Sequence, residues 1–501
     1  MSIQPIYQKA FFNSKQKSLT EHVKVDVKTE IDSEQVKRIL SVSSTSSVTG
    51  ARIENGLVEY KGKAIFYICY EDQEGNLKKH ETSSEFEGKI EATDFADTKV
   101  ICFSEVEKTE ADVSGIKLCV FGVVSLTFNV KEVKEVSYLS SGEGVVCDTE
   151  PFEYYKSLGK VESFYPIEDE FELPYAVEEI LYHKEGVIVT ACQCGVGSII
   201  VDGEIKLCAI ILKKTENSDI IKEEKTIPYR IEIECGEAMP SNTATASALI
   251  KSFKTDITVD ENLQKSIISA VVNLAVFGEA YLEEKTEVVK DAFSLVEEVR
   301  LEKEKLSCCD YLEVRSLMSS TSAEVPLFVE NQNANVKAVV CDKSEIISYT
   351  LKNDKLSVNL ALNLIAFYGV EDQKFYTKKV VVPISVEAEC NGLKESQIDL
   401  KIYSVILGHS LNGGNLSLNV GLHFSVYPCT ARETCLVKEI MASGEKKCPD
   451  TAISVYLGLN GESLFGLSKR LNAIPSELLE QNPELTFPLS GKERIIIYRQ
   501  K

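Results

Sequence analysis

Apolar and polar residues alternate along much of this chain with a period of two, the pattern of β-strands that bury one face. The clearest alternation begins at Leu416. Its apolar positions are Leu416, Leu418, Val420, Leu422, Phe424 and Val426, and the polar or small residues between them are Ser417, Asn419, Gly421, His423 and Ser425. An antiparallel sheet with one solvated face produces this pattern. Residues 23–160 likewise contain almost no long helical pattern, so we expect a mainly β chain.

One hairpin pattern occurs three times. In each case an alternating strand leads to a turn signal and then to a second strand. The three turn signals are Asp72–Asn76, Glu216–Asp219 and Gly369–Gln373. Aligning Phe86, Tyr229 and Ile384, which occupy matching places after these turns, gives spacings of 143 and 155 residues.

Two further landmarks keep nearly the same spacing. A V-x-x-[IV]-[LV] segment precedes each hairpin, at residues 36–40, 177–181 and 336–340. A long strand follows each hairpin, and these strands are Leu118–Val130, Ile268–Tyr281 and Leu416–Tyr427. Three landmarks in one order predict three repeats of about 130–140 residues, a size that fits an antiparallel β-sandwich or an open barrel. Such units can each bury a core alone, so we expect separate domains, like beads on a string.

The segments between these repeats set the predicted domain boundaries. Ser137–Gly144, Glu297–Lys305 and Met441–Asp450 are rich in Gly, Ser, Pro or charge, so we expect exposed connections there, the second of them a short helix. The predicted organisation is an N-terminal arm (1–22), three β repeats (23–160, 161–305 and 306–440), a linker (441–451) and a C-terminal module (452–501).

The composition is that of an ordered globular protein of 501 residues, with 44% hydrophobic and 26% charged residues. The net charge of -22 argues against nucleic-acid binding, because phosphate contacts need lysine and arginine, and it disfavours adsorption to anionic lipid. An acidic surface suits solubility or a basic protein partner. Residues 1–20 lack the apolar core of a secretory signal, and no run approaches 18 apolar residues, so we expect neither export nor membrane insertion.

Fifteen cysteines are present, most of them within apolar strand patterns. Without an export signal we interpret them as reduced thiols in the cytoplasm. The pairs Cys192/Cys194 and Cys308/Cys309 raise the alternative of a zinc site, but they lack the spacing and the nearby histidines that four tetrahedral ligands need. We therefore expect structural thiols, with no metal site and no cofactor.

No catalytic motif stands out. The chain has no G-x-S-x-G, H-E-x-x-H, Walker or G-x-G-x-x-G sequence. The glycine-rich Asn412–Asn415 precedes a strand and fits a hairpin turn better than a phosphate-binding loop. His423 lies in the polar register of its strand, and the sequence places no nucleophile beside it. These observations favour a binding or structural role without catalytic residues. A site between repeats is the enzymatic alternative, which a deep pocket of convergent titratable side chains would support.

The C-terminal module has a different pattern, strand-helix-helix-strand in fewer than fifty residues. The predicted elements are a strand at Ile453–Leu457, helices at Phe465–Leu471 and Pro475–Gln481, and a strand at Arg494–Tyr498. Leu464, Leu467 and Leu471 lie at helical spacing and predict one apolar face for the first helix. The second helix begins at a proline, which suits a first turn, and ends at Asn482-Pro483.

These residues resemble the LysM module, whose pattern is an opening strand with a tyrosine, then G-[DE]-[ST]-L, an apolar helix, L-x-x-x-N-P-x-L and a closing I-x-[IV] strand. The matching residues are Tyr456, Gly461, Glu462, Ser463, Leu464, Leu478, Asn482, Pro483, Leu485, Ile495 and Ile497. The resemblance spans about 47 of the 501 residues. The usual I-x-I-P ending is replaced by Ile497-Tyr498-Arg499, and only one copy is present.

The LysM resemblance implies a ligand-binding groove. Its residues would be Asn460, Gly461, Glu462, Ser463, Leu464, Asn482, Pro483, Glu484 and Leu485. In this family such a groove binds glycans that contain N-acetylglucosamine. The alternative is that the same residues only cap the first helix and end the second. The chain has no tryptophan to stack on a sugar ring.

The whole organisation, β repeats followed by one LysM module, resembles the clostridial spore-coat morphogenetic proteins of the SipL type, the counterparts of SpoVID in bacilli. In the repeats the resemblance is carried by weak motifs such as Val36-Lys-Arg-Ile39-Leu40 and Lys61-Gly-Lys-Ala-Ile-Phe-Tyr67. It implies a non-enzymatic scaffold in the mother-cell cytoplasm that links the coat to the forespore surface. Its LysM module would dock a coat ATPase of the SpoIVA type.

Two ligands for the module therefore remain. A protein partner is favoured by the missing export signal, the reduced cysteines and the single, altered copy. A peptidoglycan-binding protein of the cell envelope is the alternative. The outer surface of residues 453–499 distinguishes them, because an apolar patch favours a protein partner and an open polar groove favours a sugar.

Overall fold

The computed structural model describes residues 3–13, 17–30, 36–92, 100–114, 117–130, 133–215, 219–260, 262, 264–327, 335–370, 374–393, 397–446 and 453–498. Within these residues the chain is mainly β, with antiparallel sheets that all remain open and two short helices, so the predicted fold class is confirmed at this level. Neither described helix has the length and apolar character needed to cross a membrane.

The elements run in the following order. The first strands are β1 (Gln4–Asn13), β2 (Lys17–Glu30), β3 (Val36–Glu54), β4 (Leu57–Asp72), β5 (Leu77–Glu91), β6 (Val100–Ser114), β7 (Lys117–Val130) and β8 (Val133–Glu143). Next come β9 (Val145–Leu173), β10 (Val177–Cys194), β11 (Ser198–Lys213), β12 (Ile220–Glu234), β13 (Thr243–Asp260) and β14 (Lys265–Ser294). They are followed by β15 (Glu297–Tyr311), β16 (Arg315–Pro326), β17 (Asn335–Lys352), β18 (Lys355–Val370), β19 (Lys374–Glu389), β20 (Gln397–Asn412) and β21 (Asn415–Glu445). The last elements are β22 (Ile453–Leu457), α1 (Leu464–Leu471), α2 (Pro475–Gln481) and β23 (Arg494–Tyr498).

One arrangement of strands recurs along the chain. The predicted hairpins form three meander sheets, β3-β4-β5, β10-β11-β12 and β17-β18-β19. Each lies beside a second sheet whose central strand is one of the predicted long strands, and these sheets are β2-β7-β6, β9-β14-β13 and β16-β21-β20. We call each meander and its neighbour a sheet pair. The turns at 216–219 and 369–373 lie in part outside the described residues.

The aligned landmarks occupy matching places in the meanders. Phe86 pairs with Gly62, and Tyr229 pairs with Gly203. Each aromatic ring covers its glycine so closely that a Cβ atom would lie 2.2 Å from the Phe86 ring or 2.3 Å from the Tyr229 ring. In the third meander Ile384 pairs with Leu360, so two aliphatic residues replace the glycine and the aromatic ring. The V-x-x-[IV]-[LV] segments begin β3, β10 and β17, where β-bulges shift the register.

Each sheet pair encloses an apolar cluster. The members of the first cluster include Phe66 on β4 and Leu126 and Phe128 on β7. The corresponding residues of the second cluster include Ile199, Val201, Val272 and Leu274, and those of the third include Leu360, Leu362, Val420 and Phe424. The inward side chains alternate along the strands with outward ones, as the period-two pattern predicts.

The sheet pairs also share apolar clusters, so the expectation of separate beads is wrong. One shared cluster joins all three meanders, and its members include Cys69, Leu77, Tyr182, Ile210, Val340 and Phe367. A second joins three two-stranded ribbons, which are β1 with β8, the first half of β9 with the second half of β14, and β15 with the second half of β21. Its members include Phe12, Tyr138, Phe152, Tyr154, Leu306 and Leu436. Both clusters bury side chains from segments hundreds of residues apart.

Two predicted connections are instead strands. Glu297–Lys305 is not a helix, because its charged residues alternate with Val299 and Leu301, which face apolar neighbours in the β15–β21 ribbon. Ser137–Gly144 is not an exposed connection, since Tyr138 and Leu139 are fully buried in β8. Of the third connection, Met441–Glu445 ends β21 and is exposed, and residues 447–450 lie outside the described residues.

Candidate functional site

The C-terminal module, residues 453–498, has the predicted order β22-α1-α2-β23. The two strands pair antiparallel from Ile453 opposite Tyr498 to Leu457 opposite Arg494. The helices cover one face of this ribbon and enclose a small core, whose buried members are Leu467, Leu471, Leu478, Leu489, Ile495 and Ile497. The helical spacing of Leu464, Leu467 and Leu471 thus corresponds to the face of α1 that packs on this core.

The start of α1 uses its polar side chains within the module. Ser463 is the N-cap, and its Oγ accepts a hydrogen bond from the backbone N–H of Gly466 at 3.1 Å. The Glu462 carboxylate accepts from the Arg470 guanidinium at 2.7 and 2.8 Å and from the Leu459 N–H at 3.1 Å. The hydrogen bond from Arg470 is the largest cause that holds the pKa of Glu462 below its ordinary value.

Asn482 joins α2 to β23. Its Nδ2 donates to the carbonyls of Leu478 at 2.9 Å and Ile496 at 2.7 Å, and its Oδ1 accepts from the Ile496 N–H at 2.7 Å. The side chain is buried, so these bonds replace those that it would make with water. Asn482 thus satisfies backbone groups at the end of a helix and on a neighbouring strand.

The predicted groove residues do not form one polar surface. Asn460, Gly461, Pro483 and Glu484 are exposed, whereas Leu464 and Leu485 pack against the module core. The segment around Gly461 is hydrogen-bonded to Leu489, and no hydrogen bond among the described residues joins residues 460–464 to residues 482–485. Glu462, Ser463 and Asn482 point their polar atoms at other groups of the module.

The outer face of the β22–β23 ribbon carries exposed apolar side chains, with Arg494 opposite Leu457 at one end. Along β22 the exposed fractions are 60% for Ile453, 62% for Val455 and 64% for Leu457. Tyr498 on β23 pairs with Ile453 and is 54% exposed, and Ile496 pairs with Val455 on the same face. We call Ile453, Val455, Leu457, Ile496 and Tyr498 the apolar stripe. The alternation of β22 already contains this signal, because Tyr456 faces the module core and its neighbours on either side face away.

The module contacts the rest of the protein through α1. Lys469 Nζ lies 2.6 Å from Asp291 Oδ2, and the Phe465 ring meets the Phe293 ring edge to face with centroids 5.5 Å apart. Asn472 Nδ2 donates to the Leu295 carbonyl at 3.0 Å. These contacts use a face of α1 distinct from the one that packs on the ribbon, and they leave the apolar stripe open to solvent.

One buried histidine, His423, lies where the second and third sheet pairs meet and has a serine and a glutamate beside it. His423 Nε2 is 2.6 Å from Ser316 Oγ, and His423 Nδ1 is 3.7 Å from Glu204 Oε2. The sequence did not reveal this serine, because it lies more than a hundred residues away on β16. Ser316 is held within a strand, and Glu204 also pairs with Lys206 at 2.6 Å. Burial lowers the pKa of His423, so the neutral imidazole that accepts or donates one hydrogen bond is favoured.

A cavity of about 650 Å³ between the three sheet pairs contains convergent titratable side chains. Lys343 Nζ lies 3.6 Å from Glu105 and 3.2 Å from Glu345. Lys184 Nζ donates to the Cys341 carbonyl at 2.7 Å. Burial raises the pKa of Glu105, an effect that the two lysines partly offset. Each of these charges has a partner, as in structural ion-pair networks.

The two cysteine pairs lie in apolar surroundings. Cys192, Cys194 and Cys308 are buried, and burial raises the pKa of each thiol, that of Cys194 to about 11. A raised pKa disfavours the thiolate form that binds metal. Within the described residues, no group of three or more His, Cys, Asp or Glu side chains is placed to hold a metal ion.

Comparisons with protein-family models, with curated proteins and with solved structures find no match to this chain.

Proposed function

We propose that this chain is a non-enzymatic scaffold that binds a partner protein through the apolar stripe of its C-terminal module. The observation that carries this proposal is the exposure of three aliphatic side chains, Ile453, Val455 and Leu457, on one face of a two-stranded ribbon. Exposed apolar patches of this kind are typical of protein–protein interfaces. The free edges of a short ribbon also allow a partner strand to add to it.

The proposed scaffold is three copies of one β unit followed by a LysM-type module. The recurring meanders support the repeat. So do the β-bulges at matching places in β6, β13 and β20 of the neighbouring sheets, which lie between Val106 and Lys108, between Ile250 and Ser252, and between Ile406 and Gly408. Unrelated domains have no reason to place a bulge at the same point of the same strand. The shared clusters then hold the three units in one fixed arrangement, as a scaffold requires.

A protein ligand fits the module better than a glycan. Sugar recognition needs free polar groups beside an aromatic platform, and the polar atoms of Glu462, Ser463 and Asn482 are engaged within the module. The exposed ring of Tyr498 lies instead among the aliphatic side chains of the apolar stripe. The net charge of -22 further suits a basic partner surface.

The resemblance to SipL-type coat proteins supplies the proposed partner and place. The partner is a coat ATPase of the SpoIVA type, and the chain acts on the mother-cell side of the forespore surface. In sporulating cells, we expect a fluorescent fusion that lacks residues 452–501 to disperse into the mother-cell cytoplasm. A truncated protein that still surrounds the forespore would contradict the proposed docking.

A binding experiment separates the two ligands. The full-length chain is mixed either with a purified SpoIVA-type ATPase or with protein-free peptidoglycan, and the bound fraction is measured after sedimentation. We expect binding to the ATPase and none to peptidoglycan. Retention on peptidoglycan, lost when Asn460 and Glu484 are replaced by alanine, would instead establish the glycan-binding alternative.

A further inference from the structure

A second cavity, of about 1000 Å³, lies between the three sheet pairs and is not explained by the proposed scaffold role. Its wall takes residues from each sheet pair. Those used below are Ile101 and Phe103 on β6, Thr245 and Ser247 on β13, and Lys401 and Tyr427 on β20 and β21. A volume of this size is at the upper end of the range for small-molecule sites.

Lys401 is one of the charged residues of this wall, and the others are Arg52, Lys160, Glu162, Glu279 and Asp399. The Lys401 side chain is half-buried and lines the cavity. Its Nζ lies 4.0 Å from the centroid of the Phe103 ring and 5.7 Å from that of Tyr427. No carboxylate oxygen among the described residues lies within 4.0 Å of this ammonium group. Asp399, two residues earlier on the strand, attracts it from farther away.

The fold does not require a lysine at this position. In the strands that match β20, the residues at the same distance before the β-bulge are Ile101 on β6 and Thr245 on β13. Both are uncharged, and both line the same cavity. A half-buried ammonium without an ion-pair partner is costly, so its presence at one of three matching positions calls for a function. Burial lowers the pKa of Lys401 to about 8, a measure of this cost.

We propose that the 1000 Å³ cavity binds a small organic anion, with its charged group on Lys401 and its apolar or aromatic body against Phe103, Tyr427 and Ile101. An anion supplies the partner that the ammonium lacks, and a charge-assisted hydrogen bond in such an enclosed place is stronger than in water. Phe103 and Tyr427 line the cavity beside the ammonium and supply apolar surface for the rest of the ligand. The four residues that would hold the ligand come from the first and third sheet pairs, so the ligand would bridge the two.

Isothermal titration calorimetry of the full-length chain with naphthalene-1-sulfonate tests this proposal. We expect one saturable site, at least tenfold weaker binding in Lys401→Met, and unchanged binding in Lys24→Met, which removes an exposed lysine of β2. The cation 1-naphthylmethylammonium has a similar apolar body and should bind far more weakly. Equal binding of the two probes, unchanged binding in Lys401→Met, or no binding to the unaltered chain would overturn the proposal.

A cavity-filling variant protects this test from a folding artefact. Ser247→Trp places a large ring in the cavity and leaves Lys401 in place, so it should abolish binding. The chain has no other tryptophan, and its fluorescence therefore reports whether the new ring is enclosed. Circular dichroism checks that each variant is folded. Full-strength binding to a folded Ser247→Trp with an enclosed ring would place the probe elsewhere and would also overturn the proposal.

Discussion

Phe12→Ala tests whether the three sheet pairs unfold as one body. Phe12 is 1% exposed, and its ring centroid lies 4.6 Å from that of Tyr154 and 6.1 Å from that of Phe152. It belongs to the cluster that joins the three ribbons. Truncation of a buried phenylalanine to alanine costs about 3–5 kcal/mol, because both the transfer free energy and the lost packing contribute.

The assay is hydrogen exchange of the full-length chain followed by mass spectrometry. Amides in the centre of β18 are far from Phe12 in sequence and belong to the third sheet pair, whereas Phe12 lies on the β1–β8 ribbon. If they exchange only by unfolding of the whole body, their protection should fall by roughly two to three and a half decades, since about 1.4 kcal/mol is a factor of ten. Phe12→Leu keeps most of the side-chain volume and should cause a much smaller loss.

Separate domains predict a different outcome. In that case Phe12→Ala would lower protection in β1 and β8 and leave β18 unchanged. Such a result would refute the inference that the shared clusters couple the sheet pairs, even though the residues are in contact.

Three further substitutions test local parts of the structure. Asn482→Ala leaves buried backbone groups without partners and should cost about 1–3 kcal/mol, measured as lost amide protection in β23; undiminished protection would contradict its joining role. The pKa of Glu462 is held below its ordinary value in the folded module, mainly by the hydrogen bond from Arg470. The stability that ionised Glu462 gives the module should therefore be complete above the pKa of this residue in the unfolded chain, and it should be lost as the pH falls through its pKa in the folded module. Glu462→Gln should remove that part of the acid dependence of module unfolding, and an unaltered pH profile would refute the assignment. Gly62→Ala forces a Cβ atom into the facing Phe86 ring and should lower the free energy of unfolding, measured by urea denaturation, by about 1–3 kcal/mol. Gly50→Ala, which has nothing within 4 Å of the new atom, should change it by no more than about 0.5 kcal/mol. Equal effects of the two substitutions would contradict the close approach at Gly62.

Local pattern predicts the strands and the module well, because their residues contact near neighbours in the sequence. The alternation from Leu416 to Val426 predicts the first part of β21, and the helical spacing of Leu467 and Leu471 predicts α1. In Glu297–Lys305 the high charge concealed the same alternation. Its outward residues face solvent while Val299 and Leu301 pack inward, so the period predicts the strand more reliably than the composition does.

Packing between distant segments could not be predicted in this way. Ile180, Leu181 and Tyr182 are all buried, although consecutive strand residues ordinarily point to opposite faces. A β-bulge between Ile180 and Tyr182 and burial of both faces of β10 explain this, and the second face is covered by other sheet pairs. Likewise, Lys401 is one more lysine in the sequence, and only the assembled strands show that it borders a cavity between the sheet pairs.

The most direct test of the proposed partner-binding surface is the affinity of the full-length chain for a SpoIVA-type ATPase after Val455→Asp. This change places a charge at the centre of the apolar stripe without touching the module core, and Asn460→Asp is the matched control outside the stripe. Isothermal titration calorimetry should show at least a tenfold loss of affinity for Val455→Asp and little change for Asn460→Asp. Unchanged affinity in Val455→Asp, with the module still folded by circular dichroism, would contradict the account.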